Sequence, residues 1–303
     1  MIPAIYRGRF APSPTGPMHF GSLVAAVASF ADARHHHGEW LVRIEDVDET
    51  RSQADAERSI LQTLQAFGMQ WDGPTVRQSE RGALYDRVLA FLVERRLAYR
   101  CSCSRRLIAS TARLGSEGPI YPGTCRKTPP APDTVAAWRM IVGGDELSFD
   151  DRIVGEVVQD LAAEIGDFVI QRRDGFTAYQ LAVVVDDHLQ GITQVVRGAD
   201  LLWSTPRQLW LQRQLGYATP SYAHIPLVYA ADGHKLSKSD GAHPVRIHDP
   251  VRSLREAWHH LGQPEAPHGL DNPADFWDWA IPHWRIDRVP LDRNSTHERP
   301  DSL

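Results

Sequence analysis

Nowhere among the 303 residues does an apolar run approach the ~20 residues that a membrane-spanning helix requires. Neither sign of charge dominates: 33 Lys and Arg stand against 38 Asp and Glu, a formal net charge of −5. That balance excludes a whole-molecule polyanion binder, so any nucleic-acid contact must come from a local basic patch. Cysteine is scarce, and three residues, an odd number, do not build a disulfide scaffold. No internal repeat is visible. Leu23 to Ala31 is small and apolar with Arg7 and Arg9 upstream, faintly like an export signal. The prolines and glycines before it argue against export, and the cytoplasm is the expected compartment.

What is present is organised around Arg9-Phe10-Ala11-Pro12-Ser13-Pro14-Thr15-Gly16-Pro17-Met18-His19-Phe20-Gly21-Ser22. A short strand from Ile5 to Phe10 meets three prolines, which fix φ and remove donors. Helical spacing of Ala, Leu and Val then runs from Phe20 to about Ala33. A strand feeding a helix through a tight turn aims free backbone N–H groups at one point, a natural seat for an anion. Gly16 and Gly21 have the spacing of a phosphate-binding P-loop, but Ser22 stands where that motif needs Lys.

His35, His36 and His37 point about 100° apart on a helix and cannot converge on one metal; a solvated helix end, stopped by Gly38, is expected. Trp40 to Ile44 reads as a second strand, giving a parallel βαβ unit. Ligands gather at the carboxyl ends of such strands. Glu45, the first acid after the strand, is the candidate to face a site, with Asp48 and Glu49 left to a solvated turn. Ala54 to Phe67 and Gly82 to Arg96 read as packing helices.

Arg100 to Lys127 differs in character. It holds all three cysteines, Cys101, Cys103 and Cys125, with six basic residues against Glu117 alone. Clustered thiolates select zinc. No histidine occurs between His37 and His188, so the fourth ligand is oxygen, water or distant, with Tyr121 and Glu117 the local options. The basic surplus is either a solvated face or a patch for phosphates.

Thr128 to Asp133 reads as a linker, followed by short strands at Ala136 to Ile141 and Glu146 to Gln159, in a segment inserted between two halves of an α/β domain. Strand returns at Asp167 to Arg172. An apolar element from Thr177 ends in Asp186 and Asp187, and Thr193 to Arg197 is another strand. Tyr179 and Arg197 flank these apolar elements as polar candidates. A helix over Thr205 to Leu215 and a strand over Ala223 to Tyr229 follow. Lys235-Leu236-Ser237-Lys238-Ser239 is a turn able to close over phosphates. Pro250 to Leu261 and Pro273 to Ile281 read as helices, and from Asp287 the polar tail is expected to be disordered.

Together, Pro14-Thr15-Gly16 with His19-Phe20-Gly21-Ser22, and Lys235-Leu236-Ser237-Lys238-Ser239, resemble the two ATP signatures of class I aminoacyl-tRNA synthetases. Arg9 to Ser13, Arg43-Ile44-Glu45-Asp46, and Val185 to His188 through Arg197 to Asp200 resemble the glutamyl branch. The likeness runs from about residue 5 to residue 261. The chain leaves no room after the lysine loop for the large helical anticodon-binding part of ordinary bacterial glutamyl-tRNA synthetases. It therefore resembles the shortened paralogue family, the glutamyl-Q tRNA(Asp) synthetases. Departures are Ser22 for the second histidine of the general signature, Val183 where many relatives have Asn, and Leu236 for Met.

The resemblance implies an α/β fold: a Rossmann-like class I synthetase catalytic domain, an inserted zinc-binding acceptor-type subdomain and a short helical C-terminal part. The expected divisions are 1–98 and 166–240 for the two halves, 99–165 for the subdomain, 241–286 for the helical segment and 287–303 for the tail. It implies ATP with Mg2+, L-glutamate and queuosine-containing tRNA(Asp) as partners, no membrane, and a monomer. Glutamate would fall to Arg9, Phe10, Ala11, Pro12, Ser13, Glu45, Tyr179 and Arg197. ATP would fall to His19, Gly21, Ser22 and Lys238, and catalysis to His19, Gly21, Lys235 and Lys238. One structural zinc would be held by Cys101, Cys103, Tyr121 and Cys125.

Overall fold

A computed structural model of the chain describes residues 5–48, 52, 54–115, 118–144, 146–229, 245 and 247–292. β1 (Arg7–Phe10) leads through the proline turn into α1 (Phe20–His35), and the chain returns as β2 (Glu39–Ile44). β1 and β2 pair in parallel, Arg9 opposite Leu41. Leu23, Val24, Val27, Phe30 and Ala31 of α1 are all buried, the pattern of a helix with protein on most faces. Gly38 ends this unit where a β-carbon would sit 2.4 Å from the Tyr6 carbonyl oxygen, a space that only glycine fits.

α2 (Ala54–Ala66), β3 (Val76–Arg77) and α3 (Gly82–Glu94) follow, and β3 extends the sheet in parallel beyond β2. The cysteine-bearing region consists of β4 (Ala98–Cys101), α4 (Arg105–Thr111), β5 (Leu114–Gly115), β6 (Gly118–Pro119) and α5 (Thr124–Lys127). Next come β7 (Ala137–Met140), the antiparallel hairpin of β8 (Glu146–Asp151) and β9 (Gly155–Asp160), α6 (Leu161–Glu164) and β10 (Phe168–Gln171). The second parallel unit is α7 (Tyr179–Leu189), β11 (Gln194–Gly198), α8 (Thr205–Leu215) and β12 (Ser221–Ile225). α9 (Pro250–His260) and α10 (Pro273–His283) complete the described elements.

The Thr193 N–H donates to the Arg7 carbonyl at 2.9 Å, which sets β11 beside β1 and brings the two halves together. Alternate strand residues face opposite sides. Val196, Ala223 and Ile225 pack with α1, α2, α9 and α10, while Val195 and Tyr222 pack with α3, α7 and α8. Both faces of the parallel strands are therefore covered. No helix among the described residues is long and apolar enough to cross a membrane.

Several boundaries differ from those read in the sequence. β12 ends at Ile225 rather than Tyr229, because Pro226 has no N–H for a ladder. α3 stops at Glu94, and Arg96 takes a left-handed φ of 57°. A division between residues 165 and 166 would cut a sheet, since β10 pairs with β7. The hairpin likewise joins the second half, with Asp151 opposite Tyr222. Of the tail expected to be disordered from residue 287, the described residues 287–292 are folded. Residues Ile286–Arg288 form a 3-10 turn, Val289 is buried, and Asp292 accepts from the Leu227 N–H at 3.0 Å. His36 and His37 are exposed as expected. His35 instead docks on α10, its Nδ1 lying 2.9 Å from the Ile281 carbonyl oxygen.

Candidate active site and metal centre

A cavity of about 500 Å³ opens at the carboxyl ends of β1, β2, β11 and β12, where ligands of parallel α/β sheets bind. It gathers Arg9, Phe10, Ala11, Pro12 and Ser13 from the end of β1 and the turn, with Glu45 beyond β2. His19, Gly21 and Ser22 come from the start of α1, Tyr179 from the start of α7, and Arg197 from β11. All sequence-derived glutamate and ATP candidates except the loop lysines are thus in one place. Lys235 and Lys238 lie outside the described residues.

His19 caps α1: its side chain accepts from the Ser22 N–H at 3.3 Å, and the Ser22 hydroxyl lies 3.0 Å from Nε2. Ser22 thus holds the ring of His19 at the cavity wall. On the acidic side, Arg9 is 3% exposed and its Nε donates to Asp187 Oδ1 at 3.3 Å. The same oxygen accepts from Arg43 Nη1 at 2.7 Å, and Arg43 Nη2 donates to Glu45 Oε1 at 3.2 Å. Burial pushes the Glu45 carboxyl above the usual carboxylate range, against the pull of Arg43 and Arg9. Burial also works against Asp187, but there Arg43 and Arg9 prevail and hold it low.

Arg197 is 5% exposed. Its Nε donates to His224 Nε2 at 3.0 Å, and its Nη2 donates to Thr205 Oγ1 at 2.8 Å and the Leu201 carbonyl at 3.3 Å. Nη1 is buried and finds no partner among the described residues. A buried guanidinium nitrogen with both its protons unclaimed among the described residues, on a residue lining the cavity, is suited to an incoming carboxylate.

Sequence reasoning assigned no role to Arg43, Asp187 or His224. Arg43 and Asp187 fall inside quoted motif blocks, so their positions were marked. His224 carried no local signal.

The cysteine region closes into a second cluster. The sulfurs of Cys101, Cys103 and Cys125 all lie within 4.8 Å of one another, with Cys103 and Cys125 at 3.5 Å. Tyr121 Oη is 3.3 Å from the Cys101 sulfur and 3.5 Å from that of Cys103. Neighbouring ligands on a tetrahedral ion with bonds of about 2.3 Å stand roughly 3.7 Å apart, so the four donor atoms fit a metal. The Arg139 guanidinium lies 3.9 Å over the Tyr121 ring and fixes its plane. Burial opposes a thiolate at Cys125, but hydrogen bonds from Tyr121 and the Ser102 N–H outweigh it and bring the thiol down to about 7. Glu117, the other local option, lies outside the described residues.

A family model described as tRNA synthetases class I (E and Q), catalytic domain, matches residues 6–254. The chain belongs to this family. Curated relatives of this class I synthetase include the glutamyl-Q tRNA(Asp) synthetase of Dechloromonas aromatica, 53% identical over 289 residues, 94% of this chain and 96% of that one. The protein of the same name from Neisseria meningitidis serogroup C is 50% identical over 94% of this chain and 98% of its own. Among solved structures, a glutamate tRNA ligase from Elizabethkingia meningosepticum, in complex with its amino acid, superposes with a TM-score of 0.78. It is 24% identical and covers 94% of the synthetase; the alignment spans 65%, just under two thirds, of that longer chain. That likeness establishes a shared fold.

Proposed function

We infer that this synthetase activates L-glutamate with ATP and transfers it to the queuosine base at the wobble position of tRNA(Asp). One observation carries the reading. Arg9, Arg197 and Glu45 converge with His19 and Gly21 in one cavity, in a chain 53% identical to a relative named for this reaction.

Glutamate brings two carboxylates and an ammonium. Arg9 and the free Nη1 of Arg197 suit the carboxylates, and Glu45 suits the ammonium. Ser13 and Tyr179 supply hydrogen bonds. Glutamine would leave a buried guanidinium facing a neutral amide, which disfavours it.

The α-carboxylate attacks the α-phosphorus of ATP; the bond to pyrophosphate breaks and a glutamyl-adenylate forms. A carboxylate is already nucleophilic, so no general base is needed, and catalysis is positioning plus charge neutralisation. ATP enters as its Mg2+ complex. His19, the backbone at Gly21 and Lys238 are assigned to the phosphates, with Lys235 beside them. A hydroxyl of the queuosine cyclopentene ring then attacks the activated carbonyl, and AMP leaves.

Cys101, Cys103, Tyr121 and Cys125 would hold one structural zinc, which would cross-link β4 to the α5 turn. The basic residues around it are assigned to RNA phosphates, since a stem-loop presents an unstacked modified base to a protein surface. The basic stretch from Arg100 to Lys127 would face the RNA.

The test is transfer of labelled glutamate to purified tRNA(Asp) with and without queuosine, beside tRNA(Glu). Label is expected on queuosine-containing tRNA(Asp) alone. Label on tRNA(Glu) would instead identify a synthetase that charges the 3′ end. Absence of both transfer and glutamate activation would make the protein a silent module that keeps the fold.

A further inference from the structure

Arg197 is held from behind by His224, which is held in turn by Asp151, and neither of these side chains lines the cavity. Asp151 closes the hairpin between β8 and β9. Its Oδ1 accepts from the Ile153 and Val154 N–H groups at 3.0 Å each and from the His224 N–H at 3.2 Å. Its Oδ2 accepts from His224 Nδ1 at 2.6 Å. Both side chains are 0% exposed.

The protons follow by elimination. An arginine Nε always carries hydrogen, so Nε2 of His224, 3.0 Å away, must offer a lone pair. A carboxylate that accepts at Nδ1 places the single ring proton there. Burial, with the Arg197 charge and against the pull of Asp151, takes His224 down to about 4, in keeping with a neutral ring at pH 7. Thr205 and the Leu201 carbonyl claim Nη2. Nε and Nη2 are thereby committed, and among the described residues nothing claims Nη1, which is left for a ligand.

We propose that Asp151 and His224 are positioning residues for glutamate recognition: the carboxylate sets the imidazole tautomer, and the imidazole orients Arg197 so that Nη1 meets the substrate carboxylate. The proposal rests on Arg197 being a glutamate ligand, as read above. It has a consequence that packing alone lacks. Both oxygens of Asp151 accept hydrogen bonds, and three backbone N–H groups converge on Oδ1. In Asp151→Asn the amide keeps its oxygen on those three groups and turns its NH2 toward Nδ1. The ring proton then moves to Nε2 and opposes the Nε–H of Arg197, two donors face to face.

Glutamate-dependent ATP–pyrophosphate exchange reads the effect. Arg197→Ala, Asp151→Asn and His224→Ala should each raise the glutamate KM about tenfold or more, while the ATP KM stays within about twofold. The double variant Asp151→Asn/His224→Ala should be no worse than His224→Ala, because the carboxylate acts through the ring. An unchanged glutamate KM in Arg197→Ala would remove the premise, and with it the reading of Arg197. A raised KM in Arg197→Ala with normal values in the other two would leave that reading standing and overturn the relay. Should the variants fail to fold, nitrogen-15 NMR of the wild-type imidazole decides. A neutral ring protonated at Nδ1 is expected; a proton on Nε2 overturns the proposal.

Discussion

Arg43 Nη1 donates to Asp187 Oδ1 at 2.7 Å, and the two side chains are 0% and 7% exposed. This pair joins the end of β2 to α7, and Arg9 reaches the same carboxylate from β1. Three elements behind the cavity are thus tied to one oxygen.

Replacing Asp187 by Ala removes the carboxylate shared by two buried guanidinium groups, leaving Arg43 only Glu45 and Gln190. Equilibrium unfolding in urea should show a loss of about 3–5 kcal/mol. A loss below about 1 kcal/mol, the scale of an exposed pair, would mean that the arginines find other partners.

The proposed hold of Glu45 on the substrate ammonium needs an ionised carboxylate, yet burial raises its carboxyl against Arg43 and Arg9, with Asp187 adding to the rise. Lowering the pH toward that raised value protonates Glu45, so the glutamate KM should climb at pH values still above the ordinary carboxylate range. Glu45→Gln should show a high KM with this rise absent. A wild-type profile that stays flat down to the ordinary carboxylate range would count against the ammonium assignment.

Asp32 is a buried hub that does not line the cavity. It accepts from Arg152 at 2.6 and 3.0 Å, from Trp284 Nε1 at 2.9 Å, and from the Tyr6 hydroxyl. Burial opposes its ionisation, but Arg152 and the other donors prevail and hold the carboxyl below its usual range. Its contribution is therefore complete at neutral pH and lost as pH falls through the depressed value. Asp32→Asn should cost about 3 kcal/mol at pH 7, and the gap from wild type should narrow below about pH 4. A gap independent of pH would show that shape rather than charge is what Asp32 provides.

Metal analysis of freshly purified protein should find one zinc per chain. Cys125→Ser or a strong chelator should lower the melting temperature, with glutamate activation persisting below the new transition, because the cysteine cluster does not line the cavity. Protein free of zinc yet unchanged in melting would refute the centre.

Much of the site was legible because its signals are local. The proline turn before α1 and the acid that ends β2 each announce a strand's carboxyl end within a few residues. Both strand ends fall where they were read and meet in the cavity. The clustering of the cysteines with Tyr121 was legible for a similar reason: the four side chains fall within 25 residues, from Cys101 to Cys125. The folded segment to Asp292 was not. Its polarity resembles a disordered tail, and it is the Leu227 backbone, 65 residues away, that orders it.

The sequence by itself determined the alternation of strand and helix, the family, and which residue types stand at the ends of the strands, because periodicity and motif spacing are properties of neighbours along the chain. Tertiary structure alone decided the partners of the arginines. Arg9 and Asp187 are 178 residues apart, and Arg197 depends on His224 and, through it, on Asp151 in a hairpin that looked like an insertion. A buried charge is satisfied by whatever packing brings within about 3 Å, and no pattern along the chain records that.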